Sequence, residues 1–429
     1  MAVTTTNHIS YGSRIGNSLK GIVTGFVMLV VGIGLLWWNE GRAVRRYQDL
    51  KTGRKACVET PYDTLDKTLE GKLVHVMGSV ATDDVLVDPQ FKISRNGFAL
   101  LRKAEMYQWQ EKSETTQEEN VGGSVDETTT YTYEKSWSVT LTSSDKFVEA
   151  GHDNPKVMRY RSNEIYATNV KFGAHTLTES QISQVGSKEQ IDLAQDELVK
   201  AEVETAKKLT EAVPAVADAA PAVAEAVPAV ADAAPALPSM FGIANCVLHE
   251  GYLYIGASAE KLVNPLDPEI GDIRISFAYV STPKDISIVG QQTGDKFTAW
   301  QSKNGTVFLM TNGLAGIDQM FTDAEHSNAL MTWVLRIFGF ALIFAGFKNI
   351  FGILPTLAAV LPFLGKVMGV GVSFFSFILA TVLSLLVIAL SWLWYRPVLG
   401  VALLVIIGAV IWYARKKAAN APAPQQPAA

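Results

Sequence analysis

The chain has 429 residues, of which 48% are hydrophobic and 18% charged, and 37 basic against 42 acidic residues leave a formal charge of −5. Soluble domains average about 25% charged residues, so part of this chain is expected out of water, and the acidic balance argues against a nucleic-acid binder that holds phosphate by bulk charge. Two cysteines, Cys57 and Cys246, exclude a disulfide framework, allow one bridge at most and stand in no zinc-ligand spacing.

Residues 1–20 read as an N-terminal tail, followed by an uncharged run, 21–38, that closes with Trp37 and Trp38. A bilayer core of about 30 Å takes about 20 apolar residues as helix, so 21–38 is predicted to cross it. The run is longer than a signal-peptide core, and Asn39-Glu40-Gly41-Arg42 has no small-x-small cleavage site, so it reads as an anchor. Arg42, Arg45, Arg46, Lys51, Arg54 and Lys55 then form a basic collar. With Trp37 and Trp38, its members Arg42, Arg45, Arg46 and Lys51 are candidate contacts with anionic headgroups. A solvated basic face on an extended first helix explains the same charges equally well.

Residues 39–328 read as a folded domain with a first β-rich part at 39–187. Tyr107 and Trp109, then Tyr131, Tyr133 and Trp137, recur at period two on either side of Gly122-Gly123. This predicts a long antiparallel hairpin with cross-strand aromatic pairs. Its tip, 111–127, holds six acids and one lysine and is expected in water. Gly151-His152-Asp153-Asn154-Pro155 reads as a turn in which His152 hydrogen-bonds locally. Ile191, Ala194, Leu198, Ala201 and Leu209 predict an amphipathic helix over 188–211. A 14-residue repeat with a proline every seventh residue fills 212–240, and prolines so spaced stop a helix, giving a semi-extended spacer. The second β-rich part, 241–328, is punctuated by Gly294-Asp295 and Asn304-Gly305. Glu70-Gly71-Lys72-Leu73 and Glu250-Gly251-Tyr252-Leu253 hint at a duplicated β unit.

Three further spans are expected at 331–352, 367–394 and 398–414, with an interfacial or re-entrant connector at 353–366 and a disordered tail at 415–429. Six of nine tryptophans (Trp37, Trp38, Trp333, Trp392, Trp394, Trp412) fall near span ends, where amphipathic rings favour the headgroup zone. The fold class is an α+β membrane protein: four transmembrane helices, one N-terminal and three C-terminal, with a large β-rich domain inserted between them. Basic residues on the two sides nearly balance, so charge does not orient it. Gly21 with Gly25, and Gly365 with Gly369 and Gly371, offer small faces for helix packing. Arg336, Lys348, Lys366 and Arg396 lie near span edges, where snorkelling is expected. No Asp or Glu falls in 331–414, which argues against a proton-coupled carrier or cation channel. The six histidines are scattered, and no nucleophile motif, phosphate loop or dinucleotide fingerprint is present. No catalytic, cofactor or metal residue is therefore assigned, and an enzyme is not expected.

Six stretches, taken in order, resemble one family: Asn39-Glu40-Gly41-Arg42-Ala43, Leu73-Val74-His75, Glu105-Met106-Tyr107-Gln108-Trp109, Gly151-His152-x-Asn154-Pro155, Gly271-Asp272-x-Arg274-x-Ser276-Phe277-x-Tyr279 and Tyr395-Arg396-Pro397. They are similar to the LUMA family (transmembrane protein 43). The resemblance implies one N-terminal span, a large extracytoplasmic or lumenal domain and three C-terminal spans, which supplies the orientation. It marks Glu105, Tyr107, Trp109, His152, Asn154, Asp272, Arg274, Arg336 and Arg396 as structural candidates and carries over no catalytic residue. Eukaryotic members occupy the endoplasmic reticulum and inner nuclear membrane, with lamin and emerin as reported partners, and bacteria have members too. The 188–240 insertion and the Ala/Pro/Gln tail depart from the eukaryotic form. They point to a bacterial plasma-membrane protein with a periplasmic domain, the endoplasmic reticulum or inner nuclear membrane being the alternative. The function expected is a scaffold whose outer domain self-associates, in contact with membrane lipids and other membrane proteins. Lipid handling is the alternative, and a channel follows behind it.

Overall fold

The computed structural model describes residues 2–197, 199–201, 203–204, 245–258, 262–397, 405 and 412; the repeat at 212–240, the tail at 415–429 and, but for residues 405 and 412, the expected span at 398–414 lie outside them. Ser10 opens the first helix by accepting the Ser13 backbone N–H at 3.3 Å, and α1 then runs unbroken over Tyr11–Ala56. Its 46 residues reach about 70 Å at about 1.5 Å per residue, twice a bilayer core, so the helix of the first span continues into the β-rich domain. There Leu50 is buried and Gly53 lies against Phe321 and Leu73. Helix α2 (Ile317–Phe351) returns antiparallel, the short α3 (Ile353–Ala358) follows, and α4 (Pro362–Tyr395) starts on a proline at its first turn, where the missing N–H has no helical partner to lose. The stretch expected as an interfacial connector is thus a helical turn, a bend and the start of α4. Among the described residues three helices are long and apolar enough to cross a membrane: α1, α2 taken through Ala358, and α4.

Glycine sets how closely α1 and α2 approach. A Cβ on Gly25 would stand 2.6 Å from the Gly346 carbonyl oxygen, and one on Gly32 would stand 3.1 Å from that of Gly339. The next pair outward is Asn39 with Thr332, whose carbonyl accepts from Asn39 Nδ2 at 3.0 Å. The three pairs step seven residues at a time in opposite directions, an antiparallel coiled-coil register with small residues at the seam. Of the small faces expected from sequence, Gly25 lies at this contact and Gly365 packs on Ala359, while Gly371 meets nothing within 4 Å.

In chain order the main strands are β1 (Ala2–Ile9), β2 (Leu73–Thr82), β3 (Ala99–Glu119), β4 (Val125–Ser138), β5 (Cys246–His249), β6 (Tyr252–Ile255), β7 (Ile273–Val280), β8 (Lys284–Thr293) and β9 (Leu309–Asn312). One sheet has the order β1-β4-β3-β7-β6-β5. In the other, β2 pairs along β8, and Lys296–Thr298, His175–Thr176 and Val170–Phe172 link β8 back to β2, so five strands pair in a closed circuit. A single core with Val74, Val76, Phe172, Phe277, Ile286 and Phe297 joins both sheets.

The helix expected over 188–211 begins later. Glu189–Gln190 pairs as a strand with β7, and Leu193–Gln195 is a 3-10 turn. Ile191 and Leu193 are buried, and Ile191 donates its N–H to the Phe277 carbonyl at 2.8 Å, so tertiary pairing overrides the helical spacing. The suggested duplication does not map onto equivalent places either. Gly71 and Gly251 share positive φ, but β2 and β6, which follow them, belong to different sheets.

The hairpin of β3 and β4 turns at Gly122 and Gly123, both at positive φ, and sets Tyr107 opposite Trp137 and Glu111 opposite Tyr133. Its far half is paired on one side by β1 and carries little apolar surface. The tip reaches the opposite end of the bundle. There Arg14 pairs with Glu119 at 2.7 Å and donates to the Gly123 carbonyl at 2.8 Å, and the Gly122 N–H donates to Val360 at 3.0 Å.

Candidate functional site at the junction of bundle and domain

Because α1 keeps its helical phase past Trp38, Glu40 turns inward toward α2 and α4. Its carboxylate accepts Arg336 Nε at 2.6 Å, Arg336 Nη2 at 2.9 Å and Trp392 Nε1 at 2.8 Å. Arg336 also lies over the rings of Trp333 and Trp392, at 4.9 and 5.9 Å. Arg336 therefore does not snorkel as expected. Its counter-charge comes from α1, just beyond the first span, which a search of 331–414 for acids could not find. Breaking such a buried pair from one side costs about 3–5 kcal/mol.

One turn outward, Arg42 donates to Asn39 Oδ1, Asn328 Oδ1 and Thr332 Oγ1 at 3.0–3.3 Å. It faces the bundle, not a lipid surface. The rest of the expected collar divides. Arg46 donates to the Thr306 carbonyl at 2.7 Å, Arg45 lies 5.7 Å over the Tyr395 ring, and Lys51 is exposed. Trp37 packs on Tyr395 with ring centroids 6.1 Å apart, whereas Trp38 is half exposed. Arg396 rests 5.8 Å over Trp392. Asp49, one turn above Arg45, holds α1 to the domain by accepting Ser302 Oγ at 2.7 Å and Asn304 through its N–H and Nδ2.

The remaining motif residues meet at the base of the hairpin. Register sets Arg274 opposite Glu105, and the pair closes at 2.9 Å with Lys103 on the other carboxylate oxygen at 3.0 Å. Burial pushes the Glu105 carboxyl up, but the hydrogen bonds from Arg274 and Lys103 outweigh it and leave the group below its ordinary value. Arg274 is held between Trp137 and Tyr252, at 4.8 and 4.9 Å. Asn154 stands in for a neighbouring strand: its Oδ1 accepts the Trp109 N–H at 2.7 Å and its Nδ2 donates to the Trp109 carbonyl at 2.9 Å. His152 makes no local hydrogen bond among the described residues. It stacks on Tyr133 at 3.9 Å and meets Trp109 edge-on at 4.5 Å, with Nδ1 buried and unpaired. Asp272 accepts the Ala257 and Glu269 N–H groups, each at 2.7 Å. Tyr107 is in ring contact with Trp137 at 5.1 Å.

Sequence reading marked these residues singly, and the structure groups them into two clusters. What it missed is that Glu40, Asn39 and Thr332 join the first, a signal available in the seven-residue spacing of Gly25, Gly32 and Asn39 against that of Thr332, Gly339 and Gly346. Both clusters match charge with counter-charge and fix positions. Neither cysteine forms a disulfide, and burial, with Glu59 nearby, pushes the Cys57 thiol up to about 12, so it stays protonated at neutral pH. Among the described residues no three His, Cys, Asp or Glu side chains are grouped to hold a metal.

Comparison with known proteins agrees with the layout. Residues 106–397 match the family model described as Transmembrane protein 43. The chain is 27% identical to Transmembrane protein 43 of Rattus norvegicus over 92% of its own length and 89% of the relative's. It is 26% identical to the Homo sapiens protein of that name over the same shares, and 26% identical to the Drosophila melanogaster homolog over 91% and 93%. No solved structure matches the chain.

Proposed function

The chain belongs to the transmembrane protein 43 family, and on that footing we propose that this multi-pass membrane protein is a scaffold whose outer, extracytoplasmic domain binds a second copy of itself. The observation that carries the reading is the hairpin. From Gln110 to Glu119 the edge of β3 away from β4 has no strand partner among the described residues. With its tip on Tyr11 and Arg14, the ribbon spans the same length as the apolar part of α1. A bilayer around the bundle fills that flank, and hydrocarbon accepts neither an unpaired strand edge nor the six acids of 111–127. Lipid and the docked tip therefore compete for one place.

In a membrane the ribbon swings into water beside the outer domain and parts from β1, which stays with the N-terminus across the bilayer. It then has two open edges. Strand addition by the same hairpin of another copy satisfies both. Thr116→Cys in a Cys57→Ser/Cys246→Ser background should give an intermolecular disulfide in native vesicles, and Thr115→Pro on the edge should abolish it. A full-length protein that stays monomeric in vesicles at micromolar concentration sinks the reading. An efficient Arg14→Cys/Glu119→Cys intramolecular bond in vesicles does the same.

A further inference from the structure

We propose that the outer end of the bundle carries a binding site for the headgroup phosphate of an anionic phospholipid, formed by Arg45, Lys51 and Arg396. A groove of about 540 Å³ separates the outer turns of α1 from the end of α4, lined by Val44, Tyr47, Gln48, Lys51, Tyr395 and Arg396, with Pro397 at its rim. A second hollow of about 330 Å³ shares Tyr47 and Arg396 and leads toward Trp333 and Trp392. Gly41 makes this geometry possible, because a Cβ there would stand 2.6 Å from the Tyr395 ring. Trp37 and Trp38 on α1 and Trp392 and Trp394 on α4 mark the ends of the apolar spans, so the groove opens at headgroup depth.

The charge balance names the occupant. Three carboxylates near this level are committed, Glu40 to Arg336 and Trp392, Asp49 to Ser302 and Asn304, and Glu325 to Arg54 at 3.0 Å, while Asp323 is exposed and forms no ion pair among the described residues. Arg42 and Arg46 are bound to side-chain and backbone oxygens. Among the described residues no ion pair reaches Arg45, Lys51 or Arg396. Arg45 and Arg396 rest on aromatic faces, at 5.7 and 5.8 Å, and their guanidinium N–H groups meet no acceptor among the described residues. Three uncompensated cations between the end of the apolar spans and the domain lack an anion, and there the anion supplied by the membrane is a lipid phosphate. Net negative lipids fit three cations better than zwitterionic ones.

The test is native mass spectrometry of the full chain released from nanodiscs of mixed phosphatidylglycerol and phosphatidylcholine. Wild type should retain phosphatidylglycerol in preference, and retention should fall about fivefold for each cation removed in Arg45→Gln, Lys51→Gln and Arg396→Gln. Arg396→Lys should restore most of it, which separates loss of charge from misfolding. Lys20→Gln/Lys348→Gln, at the other end of the bundle, should leave it unchanged. Unaltered retention in the triple variant, or equal loss in the Lys20/Lys348 variant, overturns the site. Displacement of the lipid by millimolar inorganic phosphate overturns it too, since a soluble anion is then the ligand.

Discussion

His175 sits inside the closed circuit of five strands with both ring nitrogens buried and without a hydrogen-bond partner, its ring 4.6 Å from Phe297. Burial holds its pKa below the ordinary value, against a smaller upward pull from Asp295. The unfolded chain then takes up the proton first as pH falls. The contribution to stability is complete above the unfolded pKa of about 6.5 and is lost progressively below it. His175→Leu removes both the titration and the orphaned nitrogens. Thermal unfolding of the full chain should show the variant more stable by about 1 kcal/mol at pH 7, with the gap widening at pH 5. A gap that stays constant or narrows at pH 5 would show that this ring does not carry the acid sensitivity. Nothing in the sequence distinguishes His175 from the other five histidines, since its isolation depends on Phe172 and Phe297, which chain order sets far apart. Glu40 escaped for a different reason. It lies just past the apolar run, and only a helix that continues rigidly beyond the membrane turns it back toward Arg336.

Hydropathy located the helices of the bundle, and period-two aromatics located the hairpin, because both signals are local. Contacts between elements were legible only where the residue type left one option. Gly25 was expected on a packing face, yet its partner Gly346 on α2, and the second contact of Gly32 with Gly339, follow from an antiparallel register that requires both helices at once. Gly25→Ala should destabilise the bundle by about 1–3 kcal/mol, since the added methyl group meets a backbone carbonyl that cannot move aside. Gly34→Ala, with nothing within 4 Å, should leave stability unchanged or slightly raised. Unfolding in detergent, followed by tryptophan fluorescence, separates the two, and equal effects would refute the register. The strand at Glu189–Gln190 shows the converse limit. Its helical spacing was real, but pairing with β7 offered backbone partners that an isolated helix end could not.

At the level of the whole chain, α1 and α2 enter the β-rich domain side by side, and Leu50, Leu73 and Phe321 share one small core beneath it. The domain is therefore a long loop closed at its stem by two helices that the bilayer holds together even when the domain unfolds. Its denatured state is tethered as a disulfide would tether it, in a chain whose two cysteines form no disulfide. For a loop of this size, closure entropy is worth about 5 kcal/mol. A soluble fragment spanning residues 46–325 should accordingly unfold at lower urea than the full chain in liposomes, and joining its two ends covalently should recover most of the difference. If the open fragment matched the full chain, the stem would be adding nothing. The membrane, on this account, is the cross-link of the domain outside it.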